Sequence, residues 1–348
     1  MVADAGACRL EGQLFRSSAV TVPFLLDFEV HARLLLALPL LIAAEQVTQE
    51  RMQPLLGQFL ERDLVPRDAM PRFEAAVASA YRLRNSVLAE LLLVAFVYGI
   101  GLLIWREYIV LDVTTWYALP TADGFRPSRA GLFYAYVGLP IFQFLLLRWF
   151  FRLFIWARFL WQVSGIELNL VPTHPDRLAG LGFLPGVTKA LAVLATAFGA
   201  LLAGWMATRI LLIGNRLTEF NEEIAMMVIF VLCVILGPLF VFVPMLARAQ
   251  RKGRREYGAL ASRYVGAFDA KWIRGGQPDE VALLGSGDIQ SLADLGNSYD
   301  VVQSMRIVPV TFELAQQLVV ATLAPIAPLL LTMMPLKELM QKLASILF

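Results

Sequence analysis

Residues 188–213 read TKALAVLATAFGALLAGWMATRILLI, an apolar run in which Lys189 and Arg209 are the only charged residues. A helix needs about 20 apolar residues to cross a hydrocarbon core of about 30 Å, and this run is longer. Small residues recur at every fourth position in two ridges, 195–199–203–207 and 192–196–200–204. Such ridges let helices approach closely in a membrane. The stretch predicts a spanning helix that lies at the centre of a bundle or at a contact between subunits.

Five further runs extend this pattern over the chain, in which 58% of residues are hydrophobic and 17% are charged. A soluble domain usually carries about 25% charged residues. We therefore predict an all-α, polytopic transmembrane bundle of about six spans, in one domain over 1–348. The expected spans are 24–44, 87–105, 131–150, 188–213, 224–246 and 312–334.

The first of these spans is the least secure, because its apolar core, 34–44, has only 11 residues. That length rises only about 16 Å as a helix. Crossing the bilayer requires an extension back to residue 24 that includes four ionisable residues, Asp27, Glu29, His31 and Arg33. The alternative is a re-entrant or interfacial helix.

Basic residues predict the orientation of the chain. Segments 45–86, 148–189 and 247–311 contain 20 of the 30 lysines and arginines. Because cytoplasmic loops are enriched in these residues, we place a helical layer built from 45–86, 151–187 and 247–311 in the cytoplasm. Both termini are then outside if the first helix spans. Within this layer, a helix that begins near Pro71 is expected to run unbroken into the second span and end at Trp105.

Helix-breaking residues predict kinks in four spans. They are Pro39, Gly138 with Pro140, Gly237 with Pro238 and Pro244, and Pro325 with Pro328. Broken helices free backbone carbonyls, which are tolerated in a membrane where they face protein or line a cavity.

The most distinctive loop is 171–187, VPTHPDRLAGLGFLPGV, which combines His174, Asp176 and Arg177 with prolines and glycines. One hypothesis is an ion or substrate contact at the cytoplasmic mouth, since histidine titrates near neutral pH. The alternative is structural: His174 caps a turn that begins at Pro175, and Asp176 pairs with Arg177.

The same loop resembles a PTHPDxxGGLGFL motif of an uncharacterised family of bacterial inner-membrane proteins. Segments 31–45 and 291–309 are also similar to that family, and Ala179 stands where the first glycine of the motif is expected. The resemblance implies a bacterial inner-membrane location and implies no activity.

Two further groups of residues are candidates for function. Asp27 and His31 are four residues apart and share one helix face, and the same holds for Glu29 and Arg33. One hypothesis is that the four residues form an intramembrane site for protons or cations. The alternative is that they form two ordinary ion pairs at headgroup depth. Arginine alternates with aromatic residues over 148–161, which predicts lipid-interface anchoring or a specific lipid site, carried by Arg148, Arg152, Trp156 and Arg158.

No catalytic motif is recognisable, and the sequence predicts no cofactor, no metal site and no nucleic-acid partner. Three functions stay open. The first is an oligomeric channel or transporter for an ion or small solute, with anionic lipids and copies of the chain as partners. The second is a scaffold or sensor that binds a cytoplasmic partner. The third is a lipid-headgroup-active enzyme, in which His174 and Asp176 would act as acid and base.

Overall fold

The structure is a computed structural model that describes residues 22–101, 103, 115–121, 124–274 and 286–333. The regular elements of this part of the chain are a short 3-10 helix (Phe24–Leu26), eight longer helices and one hairpin. The helices are α1 (Phe28–Glu61), α2 (Arg67–Arg84), α3 (Val87–Gly101), α4 (Arg129–Ser164), α5 (Leu184–Ile213), α6 (Leu217–Arg274), α7 (Gly287–Gln303) and α8 (Phe312–Thr332). The antiparallel strands β1 (Ala118–Thr121) and β2 (Gly124–Pro127) precede α4, and Ala118 is paired with Pro127.

The chain is a multi-pass membrane protein with an all-α bundle, as the sequence predicts. Five helices, α1, α4, α5, α6 and α8, are long and apolar enough to cross a membrane, and the bent pair α2–α3 adds a sixth crossing if it counts as one span. On α3, Val87, Leu88, Leu91 and Leu92 are all more than 60% exposed. Exposing such a leucine-rich face to water is energetically unfavourable, whereas the hydrocarbon core of a bilayer accommodates it.

Some predicted bounds extend beyond the described residues. They include residues 102, 104 and 105 of the second predicted span and residue 334 of the last one. Residues 275–285 of the predicted cytoplasmic layer and both termini also lie outside the described residues. The first helix is continuous from Phe28 to Glu61 and begins after its capping residue Asp27.

Helix α5 is the centre of the bundle and contacts α1, α6 and α8. Its small residues allow these contacts. A Cβ added to Gly199 would overlap the carbonyl oxygen of Thr322 on α8, and one added to Gly204 would overlap Ala32 on α1. The two small-residue ridges therefore serve packing within one chain.

Four spans depart from α-helical geometry near the predicted kinks, and the π-helical segments Val97–Gly101 and Arg209–Ile213 occur where the sequence predicts none. Segment Ala32–Ala37, just before Pro39, and segment Tyr134–Gly138, just before Pro140, are π-helical. Segments Gly237–Phe242 and Ala324–Thr332, which contain the remaining glycine and proline breaks except Pro244, are 3-10 helices. Proline lacks the N–H that would complete a regular turn, so neighbouring carbonyls take other partners.

The predicted unbroken helix from Pro71 to Trp105 is wrong. Helix α2 ends at Arg84, α3 begins at Val87, and their axes differ by 45°. The cause is Ser86, whose hydroxyl accepts a hydrogen bond from the Ala89 N–H at 3.2 Å and so begins a new helix. Serine is among the best N-cap residues, and this signal competes with continuation of the helix.

The three arginine-rich segments meet at one end of the bundle, which we call the inner end. Arg62 lies 3.6 Å from the carboxylate of Asp176, and the Arg306 N–H donates to the carbonyl of Arg177 at 2.8 Å. The opposite, outer end contains the start of α1, the hairpin and the end of α5. Helix α6 continues through the inner end, and α7 packs along it.

Candidate functional site

A cavity of about 450 Å³ opens at the inner end between α1, α2, α3 and α4, and we call it the inner pocket. Its walls are helix faces with spacings of three and four residues, which place side chains on one side of a helix. Helix α1 contributes Glu45, Thr48, Gln49, Met52 and Leu56; α2 contributes Val77, Ala80, Tyr81 and Arg84; α4 contributes Arg148, Trp149, Arg152, Leu153, Ile155, Trp156 and Phe159. Asn85, Glu90 and Leu191 complete the lining.

Charged groups line the end of the pocket that is closest to the spans. Arg152 is hydrogen-bonded to the carboxylate of Glu45. Arg148 has weaker contacts: its guanidinium lies 3.6 Å from Glu45 and 3.9 Å from Glu90. Within the described part of the chain, Arg148 makes no hydrogen bond, although its guanidinium carries five N–H donors.

A hydroxyl group in the pocket also lacks a partner. Thr48 Oγ1 is buried and makes no hydrogen bond to any described residue. Buried polar groups are paired in most proteins, so an unpaired one that lines a cavity indicates water or a ligand. Thr48 lies one turn beyond Glu45 on α1, next to the charged end of the pocket.

The other end of the pocket is apolar. Along α1 and α4, towards the inner end, the lining changes from charged residues to Leu56 and Phe159. Trp156 and Phe159 are buried, and their rings stack 5.9 Å apart. Trp149 lies at the charged end instead: the Arg152 guanidinium is 5.5 Å from its ring, and its Nε1–H donates to the Leu41 carbonyl at 2.8 Å. The pocket is therefore amphipathic, with charged groups at one end and apolar side chains at the other.

Three of the four predicted lipid-interface residues, Arg148, Arg152 and Trp156, meet in this pocket. The fourth, Arg158, lies outside it and donates to Ser79 Oγ on α2 at 2.8 Å. Thr48 and Arg84 were not predicted as site residues. Thr48 lies in a polar stretch, 45–51 (EQVTQER), where one more hydroxyl carries little signal, and Arg84 reaches the pocket through the α2–α3 bend.

Asp176 organises the loop at 171–187. Its carboxylate accepts three backbone hydrogen bonds, from Leu178 at 2.8 Å, Gly180 at 3.1 Å and Gly182 at 2.8 Å. Partial burial acts to raise the pKa of Asp176, but these three N–H groups and nearby His174 outweigh it, so the pKa lies below its usual value. A carboxylate held as an acceptor in this way favours a structural role over that of a general acid.

His174 and Arg177 take part in the same turn. His174 Nδ1 accepts from the Asp176 N–H at 3.2 Å and lies 3.0 Å from Asp176 Oδ1. Arg177 makes no ion pair with Asp176 within the described residues; it has a φ of +56°, and its carbonyl receives the Arg306 N–H. The pairing in our structural alternative is therefore wrong, because Asp176 faces the turn and Arg62 instead.

The position of Ala179 explains why the resembling motif has a glycine there. Ala179 has a φ of +54° and Gly180 a φ of +101°. Glycine adopts a positive φ without steric strain, whereas other residues lose about 1–2 kcal/mol in that conformation. Ala179 is fully buried and is held there by the turn around Asp176.

The ionisable residues at the start of α1 form a connected cluster at the outer end. Glu29 pairs with Arg33 at 2.6 Å, as their spacing predicts, and Arg33 also donates to the Tyr134 hydroxyl. Asp27 and His31 do not pair through their side chains. His31 Nδ1 instead lies 2.6 Å from the Asp27 carbonyl oxygen.

The Asp27 carboxylate has two partners of its own. It accepts from the Val30 N–H at 3.1 Å, which caps α1, and from the indole of Trp116 at 2.8 Å. The cluster therefore connects the first helix to the segment before the hairpin. In the residues that the structure covers, no group of three or more His, Cys, Asp or Glu side chains is placed to hold a metal ion.

The sequence was compared with protein-family profiles, curated proteins and solved structures, and none of them matches.

Proposed function

We propose that this membrane protein binds an anionic amphiphile in the inner pocket. The negative group would contact Arg148 and Thr48, and the apolar body would lie between α2 and α4. One observation carries the proposal: within the described residues, Arg148 makes no hydrogen bond and the buried Thr48 hydroxyl has no partner, and both line the charged end of a cavity whose other end is aromatic.

The charges favour an anion. Arg84, Arg148 and Arg152 face two carboxylates, Glu45 and Glu90, so the lining carries an excess of one positive charge. Arg152 is hydrogen-bonded to Glu45, whereas the Arg148 guanidinium lies 3.6 Å or more from both carboxylates. Guanidinium binds phosphate and carboxylate through two parallel N–H donors, which fits a headgroup of either kind.

The apolar end favours a ligand with a hydrocarbon or aromatic body. From Glu45 to Leu56 the lining advances by eleven residues along α1, a rise of about 16 Å. Pockets of a few hundred Å³ with apolar walls and few polar groups are typical of small-molecule sites. The amphiphile has two sources, a lipid of the inner leaflet or a water-soluble organic acid.

Binding is tested with octyl phosphate and octanoate, titrated by calorimetry against the protein in phosphatidylcholine nanodiscs. We expect Arg148→Gln to weaken binding at least tenfold, because a hydrogen bond to a charged group contributes about 1.5–3 kcal/mol. Thr48→Val should weaken it less, and Arg51→Gln, on an exposed face of α1, should leave it unchanged. Equal affinity for octanol, or equal loss in all three variants, would refute the proposal.

The source of the ligand is tested separately by mass spectrometry of the protein released from native membranes. A retained anionic phospholipid that is lost in Arg148→Gln identifies a lipid site. Binding of octanoate without any retained lipid identifies a soluble ligand.

We also propose that the inner end is cytoplasmic, in a bacterial inner membrane, because the basic residues concentrate there. Reporter domains fused within the chain after residue 258 and after residue 215 test this orientation. The first should be active only in the cytoplasm and the second only outside; the reverse result contradicts the assignment.

A second candidate function is an oligomeric conduit, favoured by the non-α segments that contain or adjoin the predicted kinks of four spans. Helix α5 fills the middle of the bundle, so a passage would run between chains. Ion or solute flux in proteoliposomes tests this function. The absence of flux over a broad panel of ions, with Asp27→Asn and His174→Ala indistinguishable from the parent, would exclude it.

A further inference from the structure

Helix α6 continues past the membrane and forms a two-helix arm with α7. We define the arm as residues 247–274 and 287–303. The two helices pack closely: a Cβ on Gly253 would lie 3.1 Å from Val302, and one on Gly258 would lie 3.5 Å from the Tyr299 hydroxyl. Near the tip, Asp288 accepts from Lys271 at 2.7 Å and from Trp272 at 2.9 Å.

The side of α6 that faces away from α7 is basic. Positions three and four residues apart share one side of a helix, and this side, the basic face, contains Arg248, Arg251, Lys252, Arg255 and Arg263. All five side chains are exposed. Among the residues that the structure describes, none of the five makes a hydrogen bond or an ion pair.

The side of α7 that faces away from α6 is acidic. Helix α7 contains no lysine or arginine, and two of its carboxylates, Asp294 and Asp300, are exposed and contact no described basic residue. On the same helix, no described atom lies within 4 Å of a Cβ built on Gly296. A shallow, open surface adjoins this acidic face; it is lined by Asn297, Asp300, Val301, Gln303 and Ser304 and, at one side, by the basic residue Arg177.

These two faces lie on opposite sides of the arm, because each is turned away from the contact between α6 and α7. We propose that a second copy of the chain docks there, with the basic face of one arm against the acidic face of the next. Such a head-to-tail contact is heterologous and closes into a ring when the rotation between copies allows it. For copies in one membrane, the symmetry axis would lie along the membrane normal.

A second copy fits better than an anionic membrane surface. Helix α6 leaves the predicted span near Leu246, so Arg248, Arg251 and Lys252 lie within about 9 Å of its end, where anionic lipid can also reach them. Arg255 and Arg263 lie about 14 and 25 Å beyond that end, which exceeds the Debye length of about 8 Å at physiological salt. A membrane would also leave the acidic face without a partner, whereas a second copy uses both faces.

The contact is tested by the mass of the full-length protein in a mild detergent at about 0.1 M salt. We expect an oligomer in the parent protein. Arg251→Glu with Arg255→Glu (variant one) and Asp294→Lys with Asp300→Lys (variant two) should each reduce it to single chains. Mixing the two variants should restore the oligomer, since each supplies the face that the other lacks. Raising the salt to about 1 M, where the Debye length is about 3 Å, should also dissociate the parent.

Arg72→Glu with Arg82→Glu, two exposed positions on α2, is the matched control and should leave the oligomer intact. Unchanged helicity by circular dichroism shows that each variant folds. The proposal is overturned by a parent that is a single chain at low salt, or by an oligomer that both reversals leave unchanged. It is also overturned if variant one loses only its attachment to phosphatidylglycerol vesicles, which would make the basic face a lipid site.

Discussion

The indole Nε1–H of Trp116 donates a hydrogen bond to the carboxylate of Asp27 at 2.8 Å, across 89 residues of sequence. Both side chains are buried, and the ring of Phe24 packs edge-on against the indole at 4.9 Å. The contact holds the segment before the hairpin against the start of α1, and the same carboxylate caps that helix. One acidic residue therefore serves both the outer segment and the first span.

Substitutions at this pair should show graded, non-additive losses of stability. Asp27→Asn keeps one acceptor oxygen and can still cap α1, so we expect a loss of about 1 kcal/mol. Asp27→Ala loses the cap as well, which costs a further 0.5–2 kcal/mol or so. Thermal unfolding in detergent measures both. If Asp27→Asn and Trp116→Phe together cost the sum of the two single variants, the hydrogen bond contributes nothing.

Gly182→Ala should destabilise the inner loop, because the new Cβ would lie 2.7 Å from the Asp176 Cβ and 2.8 Å from its Oδ2. We expect a loss of about 1–3 kcal/mol, as for other overpacked sites. Gly186→Ala is the control four residues later: its Cβ meets nothing within 4 Å, and it lies in a helix, where alanine is favoured by up to about 1 kcal/mol. Unfolding midpoints that move together in the two variants would contradict this expectation.

The Asp176 carboxylate should make the stability of the protein depend on acidity. The pKa of Asp176 is lower in the folded chain than the unfolded value of about 3.9. Its ionised carboxylate therefore contributes fully to the free energy of unfolding above that value, and the contribution is lost as the pH falls through the folded pKa. Asp176→Asn should therefore be less stable than the parent at neutral pH, and the gap should narrow below about pH 4. Unfolding midpoints over pH 3–7 measure the gap. A gap that stays constant would show that the charge of Asp176 is not involved.

Gly199→Ala should loosen the contact between α5 and α8, since the added methyl group would overlap the Thr322 carbonyl. We expect about 1–3 kcal/mol of destabilisation and easier proteolysis near residue 311. Gly99→Ala on α3, where a Cβ meets nothing within 4 Å, provides the comparison. If the two variants melt at the same temperature, close packing at Gly199 is unimportant.

The bundle could be predicted from the sequence because apolar length and helix-breaking residues are local signals. The segments just before Pro39 and Pro140 are π-helical, and each proline is visible in the sequence without knowledge of the neighbouring helices. The bend at Ser86 was missed, although a serine cap is also a local signal, because no proline or glycine lies between Pro71 and Gly99. The pairing of Glu29 with Arg33 follows from spacing alone, and it was predicted correctly.

The inner pocket could not be predicted, because its residues are combined by tertiary packing. Thr48, Tyr81 and Arg148 lie on three helices that are far apart in sequence. Spacing within one helix gives the face on which a side chain lies, but it does not give the helix that this face meets. The partner of Asp27 was missed for the same reason, since Trp116 lies in a connecting segment.

The fit between Gly199 and Thr322 also has a consequence for biosynthesis. The groove on α5 is made long before the helix that fills it, since roughly 120 residues separate the two positions, or about 6–25 s of translation at usual rates. During that time the groove lacks the helix that fills it in the finished bundle. A ribosome-bound chain that ends before residue 312 should therefore be held by the insertion machinery and released once α8 has entered the membrane.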